Sequence, residues 1–579
     1  MYTQNELLAK NYFEQGDYEK ALSIYDKLHR KNPNRLDYLL DLVETHQQLE
    51  NFGEAEKLLQ KRLSNPRRIL PQLYVDLGRN YSYQENDSLA TISYNKAISY
   101  IDTRPEYAYN IGKAFEDYSL LDEAAICYER AMELVPERNF NSQLARIYGE
   151  QGKLDKMFEK YLDLMETNPA YRAVAQRNFS MYVTEEATNE SNTILRKILL
   201  RRLQNNPNVL YNETLSWLFI QQKDFKKAFT QEKAIFKRGE GDLTSLVDLA
   251  LITMAEEDYT NATPIVEYII DKAPSADSKL QGYQYLLKIA LATAEKKDFP
   301  DITQQFENLL NEYGRGAQTH LLQIDYNHFL AFQAEKKEEA ISNLKTLSKK
   351  KLTTYQAARV KMELADILVF DEKFNQALIY YSQIQNKIRN NTLAQQARFK
   401  VAKTSYYKGD FEWAQIQLDV LKKSASQLIA NDAMELSLMI RDNSLEDSTQ
   451  TALKKFAKAD LLALQQKNSA AIQDLEQILL LHKGEKIEDE VLLKQAGLFE
   501  LTNQFEKAAA NYLKIIEFYN EDILADDAHF RLGKLYETKL AQPEQAKQYY
   551  EQLIFNFADS IYFVEARKRF RRLRGDAIN

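Results

Sequence analysis

Six histidines and one cysteine are the side chains best suited to metal or nucleophilic chemistry in this 579-residue chain. His29, His46, His320, His328, His482 and His529 are scattered along it. No pair has the four-residue spacing, with a glutamate between, that sets two imidazoles on one helical face. His320 and His328 are two helical turns apart, so ordinary polar helix positions account for them better than a zinc site does. Cys127 lies mid-helix beside Tyr128, where burial leaves a thiol inert, and a lone cysteine excludes an intrachain disulfide. No GxxxxGK[ST] run and no GxSxG elbow occurs. The RGEGD stretch at 238–242 is a Gly-rich turn between helices and lacks the preceding strand that a phosphate cradle needs. The chain is therefore expected to hold no metal and no cofactor, and not to be an enzyme.

The bulk composition points to helices. The chain has 16 Gly and 11 Pro, far below the usual share of about 7% and 5%. Hydrophobic residues make up 44%, enough to bury a core and exclude disorder. There are 36 Tyr and 27 Phe against 2 Trp. Tyrosine in such excess suits helix interfaces that are apolar on one side and wet on the other. A net charge of −8 argues against a dedicated nucleic-acid binder, which needs a basic footprint. No apolar run approaches the roughly 18 residues of a membrane span. The N-terminal MYTQNELLAKNYF enters an amphipathic helix at once, with no basic or apolar leader region. Two readings stay open: a cytoplasmic protein, or a periplasmic or envelope protein whose leader has been trimmed.

A repeat organises the chain. Ala9, Tyr12, Gly16, Ala21, Tyr25 and Pro33 form a skeleton that returns as Gly78, Tyr81, Ala90, Tyr94 and Ala97. It returns again as Gly112, Phe115, Ala124, Tyr128, Ala131 and Pro136. The steps from Ala21 to Ala55, Ala90 and Ala124 are 34, 35 and 34 residues. The small residue of a first helix lets the second approach, an alanine sits opposite it, and aromatics fill the gaps between hairpins. Proline closes a unit because it cannot continue a helix, and Gly-Asp or Lys-Asp makes the short turn. Farther on, Ala340, Ala377, Ala414, Ala471, Ala508 and Ala546 follow with steps of 37, 37, 57, 37 and 38 residues. Pro300 falls where a first helical turn tolerates it.

This skeleton resembles the tetratricopeptide repeat. The resemblance implies an all-α, right-handed α-solenoid of about fourteen helical hairpins with a C-terminal cap helix. Its blocks are expected at 2–169, 209–424 and 471–579. A divergent hairpin at 170–208 and divergent or inserted helices at 425–470 separate them, and curvature is expected to change at both. LADDAHFRLGKLYE and the following AKQYYEQLIFNFADSIYF resemble the repeats of bacterial envelope proteins of this family, such as the outer-membrane-assembly lipoprotein and the Tol-linked cell-division coordinator.

The family's two-carboxylate clamp for chaperone C-termini uses a Lys and an Asn on the first helix. Here those positions hold Glu6 and Lys10, Val75 and Arg79, Tyr109 and Lys113, Ser142 and Arg146, so that ligand is not expected. The resemblance instead implies a groove along the first helices lined by Arg79, Tyr83, Tyr109, Lys113 and Arg146, and by Phe399, Lys403, Tyr406 and Tyr407 in the later repeats. Tyrosine and arginine are the side chains enriched at interface hot spots. Replacing Arg79, Tyr109 and Arg146 together by Ala is expected to weaken binding and leave the fold intact. Trp217 reads as a core residue more readily than as a groove residue. Arg567, Lys568, Arg569, Arg571, Arg572 and Arg574 form a basic tail, either a solvated cap that suits the helix dipole or an anionic contact. The function these features imply is a protein- or peptide-binding scaffold within a bacterial multiprotein assembly, with a membrane-associated complex among the settings. An RNA-associated helical-repeat scaffold is the alternative.

Overall fold

The structure is a computed structural model that describes residues 4–64, 69–239, 241–388, 391–424, 427–444 and 449–576. It is 79% helical, and the described residues contain no strand, as the scarcity of Gly and Pro predicts. The chain divides into two units at the RGEGD turn, residues 1–242 and 243–579.

The first unit stacks six hairpins. Helix Gln4–Glu14 pairs with Tyr18–Lys31, Leu73–Ser82 with Asp87–Thr103, and Ala108–Asp117 with Leu121–Leu134. Between Leu154–Thr167 and Val209–Gln221 the pattern loosens. The eight-residue helix Arg172–Phe179 is followed by a loop and by Glu190–Asn205, which packs back on Leu154–Thr167. Buried Asn192 staples that loop by donating to the Thr184 and Glu186 carbonyls at 2.8 and 2.7 Å. The second unit stacks eight hairpins. Helix Gln427–Asp442 is an extra element packed on Phe411–Ser424. Beyond it Thr451–Leu464 returns to contact Thr392–Lys408 and pairs with Asn468–Leu481, so stacking resumes past the insertion. Helix Phe563–Arg574 covers the last hairpin.

The turn chemistry accounts for the tight connection between paired helices. In Gly16-Asp17, Lys223-Asp224 and Glu257-Asp258 the first residue is left-handed, with φ of +81°, +55° and +58°. The aspartate N–H then closes back on the carbonyl of Tyr12, Phe219 or Thr253 at 2.8, 2.8 and 3.1 Å, the Schellman closure of a helix end. The Asp224 and Asp258 side chains cap the following helix, accepting from the Lys227 and Asn261 N–H groups. Glycine supplies the left-handed residue in only some hairpins. Glu50, Glu85, Ser119 and Glu372 take it elsewhere, so a glycine search alone underestimates the number of turns.

The crossing points hold the core. Ala21, Ala55, Ala124, Ala377, Ala471 and Ala546 have no exposed surface. Where the first helix carries glycine, a tyrosine ring from the second helix lies directly on it. Tyr94 covers Gly78, Tyr128 covers Gly112 and Tyr550 covers Gly533, and an added Cβ would meet each ring at 2.3–2.7 Å.

Candidate first-helix binding faces

In the first unit, polar side chains tie each first helix to the next. Glu6 receives Tyr38 and lies 3.1 Å from Arg35. Tyr118 donates to Asp76 at 2.7 Å. Gln47 and Asn80, both buried, are joined at 3.3 Å. Four first helices thereby bring Glu6, Asp41, Glu44, Asp76 and Asp117 into one electrostatic neighbourhood. Burial pushes the Asp41 carboxyl up to about 6, and Asp37, Glu44 and Glu6 add to the rise. Burial raises Asp76 to about 6 as well, against the Tyr118 hydrogen bond and with Asp117 and Glu44 adding. Glu44 is raised by burial too, yet its side chain reaches solvent.

The residues expected to line the groove divide into two groups. Tyr83 and Tyr109 are open, 43% and 50% exposed. Arg79 is half-buried, its guanidinium 4.5 Å from the Tyr83 ring and 5.6 Å from Tyr118, a cation–π stack. Tyr118, a turn residue of the next hairpin, escaped the sequence reading. Lys113 is exposed and paired within its own helix to Asp117 at 2.6 Å. Arg146 is engaged structurally. It binds Glu116, whose side chain is only 4% exposed and accepts the Tyr128 hydroxyl at 2.8 Å. The expectation that Arg146 can be removed without cost to the fold is corrected by this buried partner.

In the second unit the ties continue. Lys400 meets Asp366 at 2.6 Å, and Asp460 is held between Lys403, at 2.9 Å, and Lys494. Burial works to raise Asp460, but the two lysines outweigh it and hold the carboxyl below its ordinary range. Lys403 also lies 4.8 Å from the Tyr406 ring and 5.3 Å from Tyr407. Phe399, Lys403 and Tyr407 succeed each other one turn apart and are half-buried. Tyr406 is wholly buried, one turn after wholly buried Ala402 and packed with Phe411. Its assignment to the groove is corrected: it shares the crossing face, which tight packing seals. Trp217 is half-buried against Phe179, 6.2 Å between ring centres.

Burial drives the Cys127 thiol far above its ordinary pKa, with Glu123 adding. No group of three or more His, Cys, Asp and Glu converges as metal ligands among the described residues. His529 is buried, its pKa lowered to about 4 by burial. The unfolded chain takes up this proton near pH 6.5 and the folded one only near 4, so the folded state loses stability as pH falls through that window. The expected loss attributable to His529 is on the order of 3 kcal/mol by pH 4. Chemical denaturation of wild type and His529→Gln between pH 7 and 4 checks it, the variant showing the shallower pH slope.

The basic tail is unevenly engaged. Arg569 is held at 2.8 Å by both Glu537 and Glu565, and Arg574 pairs with Asp576, which lies 3.6 Å from Arg571. Arg567, Lys568 and Arg572 are exposed and form no ion pair among the described residues.

Two clefts lie away from all these candidates. One, of about 250 Å³, is lined by Tyr148, Lys156, Glu159 and Arg201 among others. The second, of about 410 Å³, is lined by Tyr74, Tyr81, Leu89, Ile92 and neighbouring residues. Periodicity gave no sign of either, because the residues that line them occupy ordinary helix positions.

Parts of the chain are similar to known proteins. Over 135 residues the chain is 29% identical to the human protein O-mannosyl-transferase TMTC1, a stretch covering 23% of this chain and 15% of that protein. Among solved structures, the APC/C hetero-tetramer Cut9-Hcn1 aligns at 14% identity and a TM-score of 0.25, covering 99% of this chain and 96% of that one. Naa15/Naa10 bound to HypK-THB aligns at 12% and 0.32, covering 99% and 97%. Residues 12–65 and 527–560 match family models described as tetratricopeptide repeat. These two matched segments lie near opposite ends of the sequence and cover the first hairpins and part of the last.

Proposed function

We propose that this chain is a non-catalytic scaffold that binds a protein or peptide along the first helices of residues 1–242, and that the bound segment carries a basic side chain. The observation that supports it most is the exposure of Tyr83 and Tyr109 on successive hairpins, with Arg79 stacked on Tyr83 and on Tyr118, which donates to buried Asp76 in the electrostatic neighbourhood of Asp41 and Glu44. Asp41 and Asp76, held near 6 by burial and neighbouring carboxylates, gain from an arriving cation, since each unit of pKa is about 1.4 kcal/mol of interaction. The exposed tyrosines supply anchor area at low entropic cost. The acidic-pair and Ala-Asp-Ser form of the C-terminal repeats supports the narrower reading of a bacterial envelope assembly.

Partner capture by wild type and by Tyr83→Ala/Tyr109→Ala tests the site. The double variant is expected to retain its melting temperature and lose about 30-fold or more in affinity, as hot-spot truncation does. Binding should also weaken as pH falls below about 6, because Asp41 and Asp76 then take up protons and no longer answer the cation. Undiminished capture by the double variant, with no loss below pH 6, would rule this face out. Salt-sensitive retention of RNA in place of protein would favour the nucleic-acid scaffold.

A further inference from the structure

In the first unit one charge recurs at the same place on each first helix. Lys10, Glu44, Arg79, Lys113 and Arg146 each come directly after a buried residue, on five successive first helices. A carboxylate four residues on neutralises three of the four cations. Lys10 meets Glu14 at 3.7 Å, Lys113 meets Asp117 at 2.6 Å and Arg146 meets Glu150 at 3.1 Å. Such pairs lie one helical turn apart and face each other. Arg79 breaks the pattern, because the residue four on is Tyr83.

Arg79 forms no ion pair among the described residues. Its guanidinium is stacked 4.5 Å from the Tyr83 ring and 5.6 Å from Tyr118, and its Nε is buried with no hydrogen-bond partner there. A ring face steadies the guanidinium but leaves its charge uncancelled and its N–H donors unused. Asp76, one turn earlier, accepts the Tyr118 hydroxyl at 2.7 Å instead. Glu44, at the equivalent place on the preceding first helix, is exposed and also forms no ion pair among the described residues. The Gln47 to Asn80 hydrogen bond joins those two helices beside this position. Two uncancelled charges of opposite sign thus stand on neighbouring first helices. A segment that brought only a basic side chain to Asp41, Glu44 and Asp76 would bring it near Arg79, a like charge, which opposes binding. An acidic side chain next to the basic one removes that conflict and supplies the missing counter-charge. The surrounding carboxylates disfavour a phosphate dianion, while a single carboxylate matches the guanidinium fork.

We infer that the segment bound by residues 1–242 carries an acidic side chain beside its basic one, and that Arg79, stacked on Tyr83 and Tyr118, receives that carboxylate. This rests on the first-helix face proposed above. The probe is a library of random peptides displayed through their C-termini, so that no free terminal carboxylate takes part. Peptides selected on wild type and no longer bound by Tyr83→Ala/Tyr109→Ala should share an acidic residue close to a basic one. Fluorescence anisotropy of one such synthetic peptide, amidated at its C-terminus, gives the decisive cycle. Changing its acidic residue to the corresponding amide should weaken binding to wild type about 10-fold or more, the worth of a hydrogen bond to a charged group. The same change should weaken binding to Arg79→Gln by less than about 2-fold, because the coupled partner is gone. Changing its basic residue should weaken binding to both proteins alike. Arg79→Lys, which keeps the charge and loses the fork, should fall between. An acidic residue that matters equally to wild type and Arg79→Gln overturns the inference, as do selected peptides that share a basic residue alone. Either result leaves the binding face standing. If Arg79→Gln loses its fold, an acidic residue that matters equally to wild type and Arg79→Lys overturns the inference. A selection that returns no peptide, or only peptides indifferent to Tyr83 and Tyr109, overturns the face and the inference with it.

Discussion

Gly112→Ala should lower the stability of residues 1–242 by about 1–3 kcal/mol, while the same change at Gly53 should raise it by up to about 1 kcal/mol. Both glycines lie inside helices, Ala108–Asp117 and Phe52–Leu63, where alanine is preferred by about 1 kcal/mol. What separates them is space. A Cβ on Gly53 meets nothing within 4 Å, whereas one on Gly112 comes to 2.6 Å from Tyr128 Cζ and within 3.0 Å of two more ring atoms. The ring cannot step aside. Tyr128 is wholly buried, its hydroxyl is bonded to Glu116, and its face lies 5.0 Å from Phe140. Overpacking of a locked core costs about 1–3 kcal/mol and outweighs the gain in helix propensity. Urea denaturation of the two single variants measures both. A stabilised Gly112→Ala protein would mean that Tyr128 is not held as described. Because each hairpin depends chiefly on its neighbours, hydrogen exchange should show the loosening concentrated between residues 73 and 167.

Arg146→Ala should destabilise the same unit by about 2–3 kcal/mol, with Tyr109→Ala staying within about 0.5 kcal/mol, the usual range for an exposed substitution. The difference lies in the partner left behind. Glu116 is almost fully covered, and without Arg146 it keeps only the Tyr128 hydroxyl among the described residues. Removing one member of a buried ion pair costs about 3–5 kcal/mol; the half-exposed position of Arg146 admits water and lowers that figure. The double variant Arg146→Ala/Glu116→Gln should recover a large part of the loss, because it removes the stranded charge. If Arg146→Ala proves neutral while the Arg146→Ala/Glu116→Gln pair is unstable, the arginine is a surface residue and the tie is not structural. A groove test built on Arg79, Tyr109 and Arg146 together therefore mixes binding with folding. Tyr83 and Tyr109 separate the two.

Much of the fold was legible in the residues because the repeat is a local pattern. A small residue on a first helix, an alanine about 12 residues on and an aromatic a few residues farther specify where two adjacent helices cross. Ala21, Ala55, Ala124 and Ala546 are all buried at those crossings. The turn pairs Lys223-Asp224 and Glu257-Asp258 are likewise local, one residue taking the left-handed backbone and the next capping a helix. Which side chains face a partner was not legible in the same way. Tyr406 and Tyr407 are adjacent and chemically identical, yet burial of the crossing face seals one and leaves the other half open.

The one-dimensional sequence determined the helices, their pairing and their turns, since each rests on contacts between neighbours in the chain. The tertiary structure alone decided that Arg146 and Lys403 serve buried carboxylates 30 and 57 residues away. It also decided that Asp41, Glu44 and Asp76, on successive hairpins, share one electrostatic neighbourhood. The physical reason is the stacking of the hairpins: it brings side chains a whole repeat apart to within a few ångströms, and their charges and exposure depend on neighbours that no local spacing encodes.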